Sequence, residues 1–260
     1  MPLVDSARGS IYYADHRREQ GRLPVVFVHG AAGSHLDWPA ALRRLPDANG
    51  LFLDLPGHGK SPGPGHNRII DYAADVIALL DALNVQQAIF AGHSMGGGIS
   101  QWLALEYPDR TAGLILMGTG AKLSVHTNIL DRVLTNRSEV GALLADWMWS
   151  EAIPTNVRQI SARQVEDLPV EITYGDYLAC NTFDVRDRLG EIQVPALVIS
   201  GTADRMTAYK YSEYLCQHIP NAELFTVADA GHMVTLEQPN VVAGAVGDWL
   251  RRHFPPVDNQ

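Results

Sequence analysis

Two cysteines in 260 residues, Cys180 and Cys216, are too few for a disulfide framework, and neither stands in a C-x-x-C arrangement. They read as free thiols of a reducing compartment. Positive charge is also scarce. Twenty Lys and Arg stand against 29 Asp and Glu, a net charge of −9, and no basic face is available to neutralise a phosphate backbone, which excludes nucleic acid as a partner. No stretch approaches the 18 apolar residues of a membrane span. The first 18 residues carry charges and tyrosines where a secretory signal needs an apolar core, so a cytoplasmic location is expected. Internal repeats and low-complexity tracts are missing, as are histidine pairs at metal-ligand spacing such as H-E-x-x-H, so neither a metal nor a cofactor is expected.

What is present is ordinary for a globular enzyme, 46% apolar and 19% charged, in a chain long enough for one large α/β domain. Residues 3–5 and 10–13 read as an antiparallel edge hairpin. Residues 23–28, 51–54, 87–91, 112–117, 194–200 and 223–227 are short apolar runs of the buried, parallel-sheet kind. Between them lie helical patterns, at 71–83, 97–107, 208–218 and 240–253 and through Trp38, Leu42 and Leu45. Residues 255–260 read as a frayed tail. The alternation of strand and helix predicts right-handed crossovers and a mostly parallel, doubly wound sheet of about eight strands. The rhythm breaks between residues 121 and 188, where only helix-like segments occur, such as 128–134 and 140–149. Core segments 1–120 and 189–260 with a helical lid at 121–188 are therefore expected. The lid is aromatic, and Trp147, Trp149 and Tyr177, with Met233 from the core, are candidates for lining a pocket.

The residues that carry chemistry centre on Gly92-His93-Ser94-Met95-Gly96, where a strand turns into a helix. In that setting G-x-S-x-G lifts the serine hydroxyl clear of the sheet on a tight, strained turn. A serine hydroxyl is a poor nucleophile unless a base takes its proton and a carboxylate orients that base. Two later strand ends supply such groups: Asp204 after the strand at 194–200, and His232 after the strand at 223–227. The carboxyl ends of strands in an open parallel sheet converge on one crevice, so Ser94, Asp204 and His232 are expected to meet there. Asp176, Asp184 and Asp229 are rivals for the carboxylate role. His29, His58 and His93 read as hydrogen-bonding loop residues, and His126 as a solvated one. Gly59-Lys60-Ser61 imitates the end of a phosphate-binding loop, but the glycine required five positions before Gly59 is Asp54, and Pro62 and Pro64 forbid the helix that would hold the phosphate.

These motifs resemble those of the α/β-hydrolase superfamily, in the group of lid-bearing esterases, lipases and cofactor-free haloperoxidase-like enzymes. The segments are His29-Gly30, Asp54-Leu55-Pro56-Gly57-His58-Gly59-x-Ser61, Gly92-His93-Ser94-Met95-Gly96, Gly201-x-x-Asp204 and Gly231-His232. The resemblance implies Ser94 as nucleophile, His232 as base and then acid, Asp204 as orienting carboxylate, and an oxyanion hole made by the backbone N–H groups of Ala31 and Met95. It implies a serine hydrolase that cleaves carboxylic esters of small to medium acyl chains through an acyl-enzyme. A carbon–carbon bond hydrolase, a lactonase or a perhydrolase would use the same triad, and a receptor-like binding module would keep the fold with little turnover. The expected partner is a small ester, and both a monomer and a homodimer are open.

Overall fold

The computed structural model describes residues 3–18 and 21–255, which leaves all but the first residue of the tail expected at 255–260 outside the described residues. The chain begins with an antiparallel hairpin of β1 (Leu3–Ser6) and β2 (Gly9–His16), followed by β3 (Pro24–Val28). A short α1 (Ala40–Arg43) leads to β4 (Asn49–Leu53), then come α2 (Ile69–Ala82), β5 (Ala88–His93), α3 (Met95–Glu106) and β6 (Thr111–Met117). Four helices follow without an intervening sheet strand: α4 (Thr127–Val133), α5 (Arg137–Met148), α6 (Thr155–Asp167) and α7 (Val170–Thr182). The sheet resumes with β7 (Ala196–Gly201), α8 (Tyr209–His218) and β8 (Ala222–Val227), and α9 (Val234–Glu237) and α10 (Pro239–His253) close the chain.

The eight strands form one sheet in the order β1-β2-β4-β3-β5-β6-β7-β8. Only the β1/β2 and β2/β4 pairs are antiparallel; every pair from β4 to β8 is parallel. This is the α/β-hydrolase arrangement. β3, β4 and β5 are buried along their whole length, which is why they read as continuous apolar runs and not as alternating ones. One face of the sheet packs against α2, α3 and α8 through residues such as Leu79, Leu103 and Leu215. The other packs against α1 and α10 through Leu42, Val246 and Trp249, with Phe27 and Phe52 stacked at 4.3 Å.

Two helical expectations differ from what is observed. The pattern through Trp38, Leu42 and Leu45 makes only a 3-10 turn (His35–Asp37) and the single turn of α1. Pro39 sits at the N-cap of α1 and Pro46 follows its end, so a longer helix would lose backbone bonds on both sides. Conversely, α6 and α7 complete the 121–188 stretch with two full helices. α7 has no clean apolar stripe because it is buried on more than one side, with Asp176, Tyr177 and Cys180 all inside. No helix among the described residues is long and apolar enough to cross a membrane.

Candidate active site

Ser94 stands between β5 and α3 with φ +52 and ψ −116, the left-handed region that side chains avoid. The strain is held by backbone: Ser94 N–H donates to the Met117 carbonyl at 2.9 Å, and the Thr119 hydroxyl donates to the Ser94 carbonyl at 2.8 Å. The glycines two positions either side are steric necessities. A Cβ on Gly96 would lie 2.0 Å from the Val28 carbonyl oxygen, and one on Gly92 would lie 2.1 Å from that of Gly96. The spacing G-x-S-x-G is thus the spacing at which helix α3 can sit against strand β3.

Asp204 and His232 occupy the loops after β7 and β8. His232 Nδ1–H donates to Asp204 Oδ2 at 3.0 Å, which leaves Nε2 as the lone-pair nitrogen. Asp204 Oδ1 accepts the backbone N–H groups of Met206 and Thr207, both at 2.8 Å, and Thr207 Oγ1 donates to Oδ2 at 2.8 Å. Burial pushes the Asp204 carboxyl up, but the neighbouring His232 and these donors outweigh it and hold the group below the usual carboxylate range. Thr207 was not foreseen from the sequence; its only signal is a hydroxyl three residues after the candidate acid. The loop carrying His232 is braced by Glu237 Oε1, which accepts Gly231 N–H at 3.0 Å and Ser150 N–H at 3.2 Å. Ser94 and His232 face the same cavity, and Ser94 Oγ has no hydrogen-bond partner among the described residues. Such a contact is often long until a ligand is bound.

Two backbone N–H groups beside Ser94 are left without a protein acceptor among the described residues. Met95 is the first residue of α3, so its N–H has no intrahelical acceptor, and neither it nor Ala31 N–H meets a protein acceptor among the described residues. The Ala31 loop is shaped by Ala32, whose φ is +55, and Ala32 N–H donates to Asp176 Oδ2 at 2.8 Å. Asp176 arrives from α7. It is the rival acid of the sequence reading, and the structure joins it instead to His58 Nε2 at 2.8 Å and to the Tyr72 hydroxyl at 2.5 Å. His58 Nδ1 faces the Pro56 carbonyl at 3.0 Å, so both ring nitrogens donate and the imidazole carries a proton at each. Burial opposes that charge, yet Asp176 overcomes it and raises the His58 pKa.

His29 and His93 are neutral. His29 accepts Leu55 N–H at Nε2 and donates from Nδ1 to the Gly30 carbonyl, while burial holds its pKa far down. His93 donates from Nε2 to the His232 carbonyl at 3.0 Å, and burial lowers its pKa to about 4. Of the remaining rival acids, Asp184 pairs with Arg186 and Lys122, and Asp229 lies exposed in its turn.

Ser94 stands between two chambers. The larger, about 580 Å³, is lined by Trp147 and Leu144 of α5, Tyr177 and Cys180 of α7, and His232. The smaller, about 70 Å³, is bounded by Gly30, Ala31, Met148 and Met233. Trp149, a candidate pocket residue in the sequence, lines neither: its indole is buried and donates to Ser161 Oγ at 2.9 Å inside the helical stretch. Its neighbour Trp147 takes the cavity wall because the two alternate around the end of α5. His126 caps α4 through Asn128 N–H and, though exposed, also stands on the large chamber's wall. Cys180 and Cys216 are free, and burial pushes both thiols up, Cys216 to about 11.

The fold and this pairing of groups define a hydrolase, and comparison with known proteins gives its family. The Alpha/beta hydrolase family profile matches residues 25–245, so the chain belongs to that family. It is similar to 3-oxoadipate enol-lactonase 2 of Acinetobacter baylyi, at 32% identity over 243 residues, covering 90% of this chain and 91% of that one. The crystal structure of the enol-lactonase from Burkholderia xenovorans LB400 superposes with a TM-score of 0.83 at 26% identity, covering 96% and 99% of the two chains. A thermophilic esterase superposes at 0.85 with 29% identity, covering 96% and 97%.

Proposed function

We propose that the protein is a serine hydrolase of carboxylic esters with small to medium acyl chains, working through an acyl-enzyme. The observation that carries this reading is that Ser94, His232 and Ala31 line one cavity, with Asp204 bonded behind His232 and Met95 next to Ser94 at the start of α3. His232 Nε2 takes the Ser94 proton as Oγ attacks the acyl carbon, and Asp204 holds the imidazole in the tautomer that does so. The oxyanion forms between Ala31 and Met95 N–H, and losing one such donor costs about 2.7–4 kcal/mol. His232 then protonates the leaving alcohol, and water activated by the same nitrogen releases the acid. Residues 121–188 act as the lid, supplying Trp147 and Tyr177 to the substrate pocket, with Met233 on the small chamber.

A lactone is a cyclic ester and needs the same steps, and the 32% identity to an enol-lactonase favours including it in the substrate class. The test is a series of 4-nitrophenyl esters of rising acyl length, a lactone panel and a dienone ring-cleavage product. The expected result is ester or lactone turnover that falls by about 10³-fold or more in Ser94→Ala, with loss of fluorophosphonate labelling. Turnover of the dienone alone, or labelling that persists in Ser94→Ala, would overturn the reading.

A further inference from the structure

The large chamber is cationic in a chain that is acidic. Among the described residues on its wall are Lys122, Arg186, Arg205 and Lys210, and no Asp or Glu. They come from three separate stretches of chain, so the convergence is made by the fold and not by a run of basic sequence. Their counter-ions lie behind the wall and are shared. Asp184 serves both Lys122, at 3.4 Å, and Arg186, at 2.7 Å. Asp146 serves both Arg205, at 3.2 Å, and Arg158, at 3.7 Å. Each of these two carboxylates therefore leaves one positive charge uncompensated. Asp187, next to Arg186, raises its pKa only as the weakest contribution and does not reach the wall. Lys210 makes no ion pair among the described residues; its ammonium rests 5.4 Å from the Tyr211 ring centroid. A chain with a net charge of −9 repels anions at long range, and the cations of this wall oppose that repulsion locally.

We infer that the preferred substrates are anionic: esters or lactones that carry a carboxylate on the part occupying the large chamber, with Lys210 as its principal counter-charge. The small chamber complements this, because it offers only about 70 Å³ against about 580 Å³ in the large one. The longer arm of the substrate must therefore enter the cationic side. This inference rests on Ser94 marking where the scissile bond lies.

The test compares two nearly isosteric esters, monomethyl glutarate and its uncharged amide, methyl glutaramate, by pH-stat with the full chain. The anionic ester is expected to have a kcat/KM about tenfold higher, mainly through KM, since charge attraction acts before the chemical step. That ratio should fall toward one in Lys210→Met and in about 0.5 M NaCl, and stay in place in Arg252→Met, a cation of the far surface. A ratio of one or less, or one indifferent to Lys210→Met, overturns the inference while the ester reading stands. A parallel calorimetric titration of Ser94→Ala with both compounds separates the two failures. If neither ester is turned over but the anion binds in a Lys210-dependent way, the ester reading fails and the anionic site remains; binding of neither, or of both equally, overturns the site.

Discussion

Two of the molecule's buried histidine–carboxylate pairs, His232–Asp204 and His58–Asp176, are built from the same two side chains and differ in what the second ring nitrogen meets. In His232–Asp204 one ring nitrogen is bonded and the other is open to a cavity. In His58–Asp176 both ring nitrogens are occupied, and the carboxylate takes three donors, from His58, Tyr72 and Ala32. The first pair keeps a ring nitrogen turned to the cavity. The second has both ring nitrogens committed to protein acceptors and serves as a tie between α7, the loop at His58 and the loop of Ala32. A histidine beside an aspartate therefore says nothing about catalysis until the second nitrogen is accounted for.

The largest effects should come from breaking each pair in turn. Asp204→Asn is expected to lower kcat about 10⁴-fold by releasing the wrong His232 tautomer, with a comparatively small loss of stability. Asp176→Asn should do the reverse. It strands the His58 charge, costing about 3–5 kcal/mol in urea unfolding, with a kcat loss of about tenfold through the slackened Ala32 turn. Equal losses of stability in the two variants, or a larger kcat loss in Asp176→Asn, would erase the distinction.

The histidines also set the pH dependence of stability. Between pH 6.5 and about 4 the unfolded chain takes protons at His29 and His93 that the folded chain refuses, so stability falls as pH falls through that window. Each such group contributes about 1.4 kcal/mol per pH unit, and Asp37, which burial pushes up to about 6, offsets one of them. His58 has the opposite sign. Its raised pKa gives stability that is whole below 6.5 and lost as pH rises through the folded value. Urea midpoints measured from about pH 4.5 to about 8.5 should thus pass through a maximum near neutrality. A monotonic rise to the alkaline end would contradict the charged state of His58.

The smallest effect concerns the support of the Asp204–His232 pair. Thr207→Val removes the hydroxyl from Asp204 Oδ2 and should cost about 1 kcal/mol, read as roughly fivefold in kcat with KM little changed. Thr207→Ser, which keeps the hydroxyl, should recover most of it.

Much of the core and of the candidate site was legible because each part is a local pattern. Buried strands are short apolar runs, and Ser94, Asp204 and His232 each follow one directly. What stayed hidden depends on partners far apart in sequence. Asp176 meets His58 across 118 positions and Tyr72 across 104, and nothing near it in the chain distinguishes a tie from a triad acid. α6 was hidden because its pattern is mostly polar, and Trp149 was misplaced because helical phase at the end of α5 decides which of two indoles faces the cavity. The cationic wall is likewise a sum over three stretches that the fold alone assembles.

The bond from Ala32 N–H to Asp176 has a consequence for building chimaeras. Exchanging residues 121–188 for the corresponding stretch of a relative is an obvious route to new specificity, since that stretch supplies much of the cavity wall. The graft would also carry away the acceptor that holds Ala32 at φ +55. A donor segment therefore has to present a carboxylate at the position of Asp176, whatever residues it brings to the cavity.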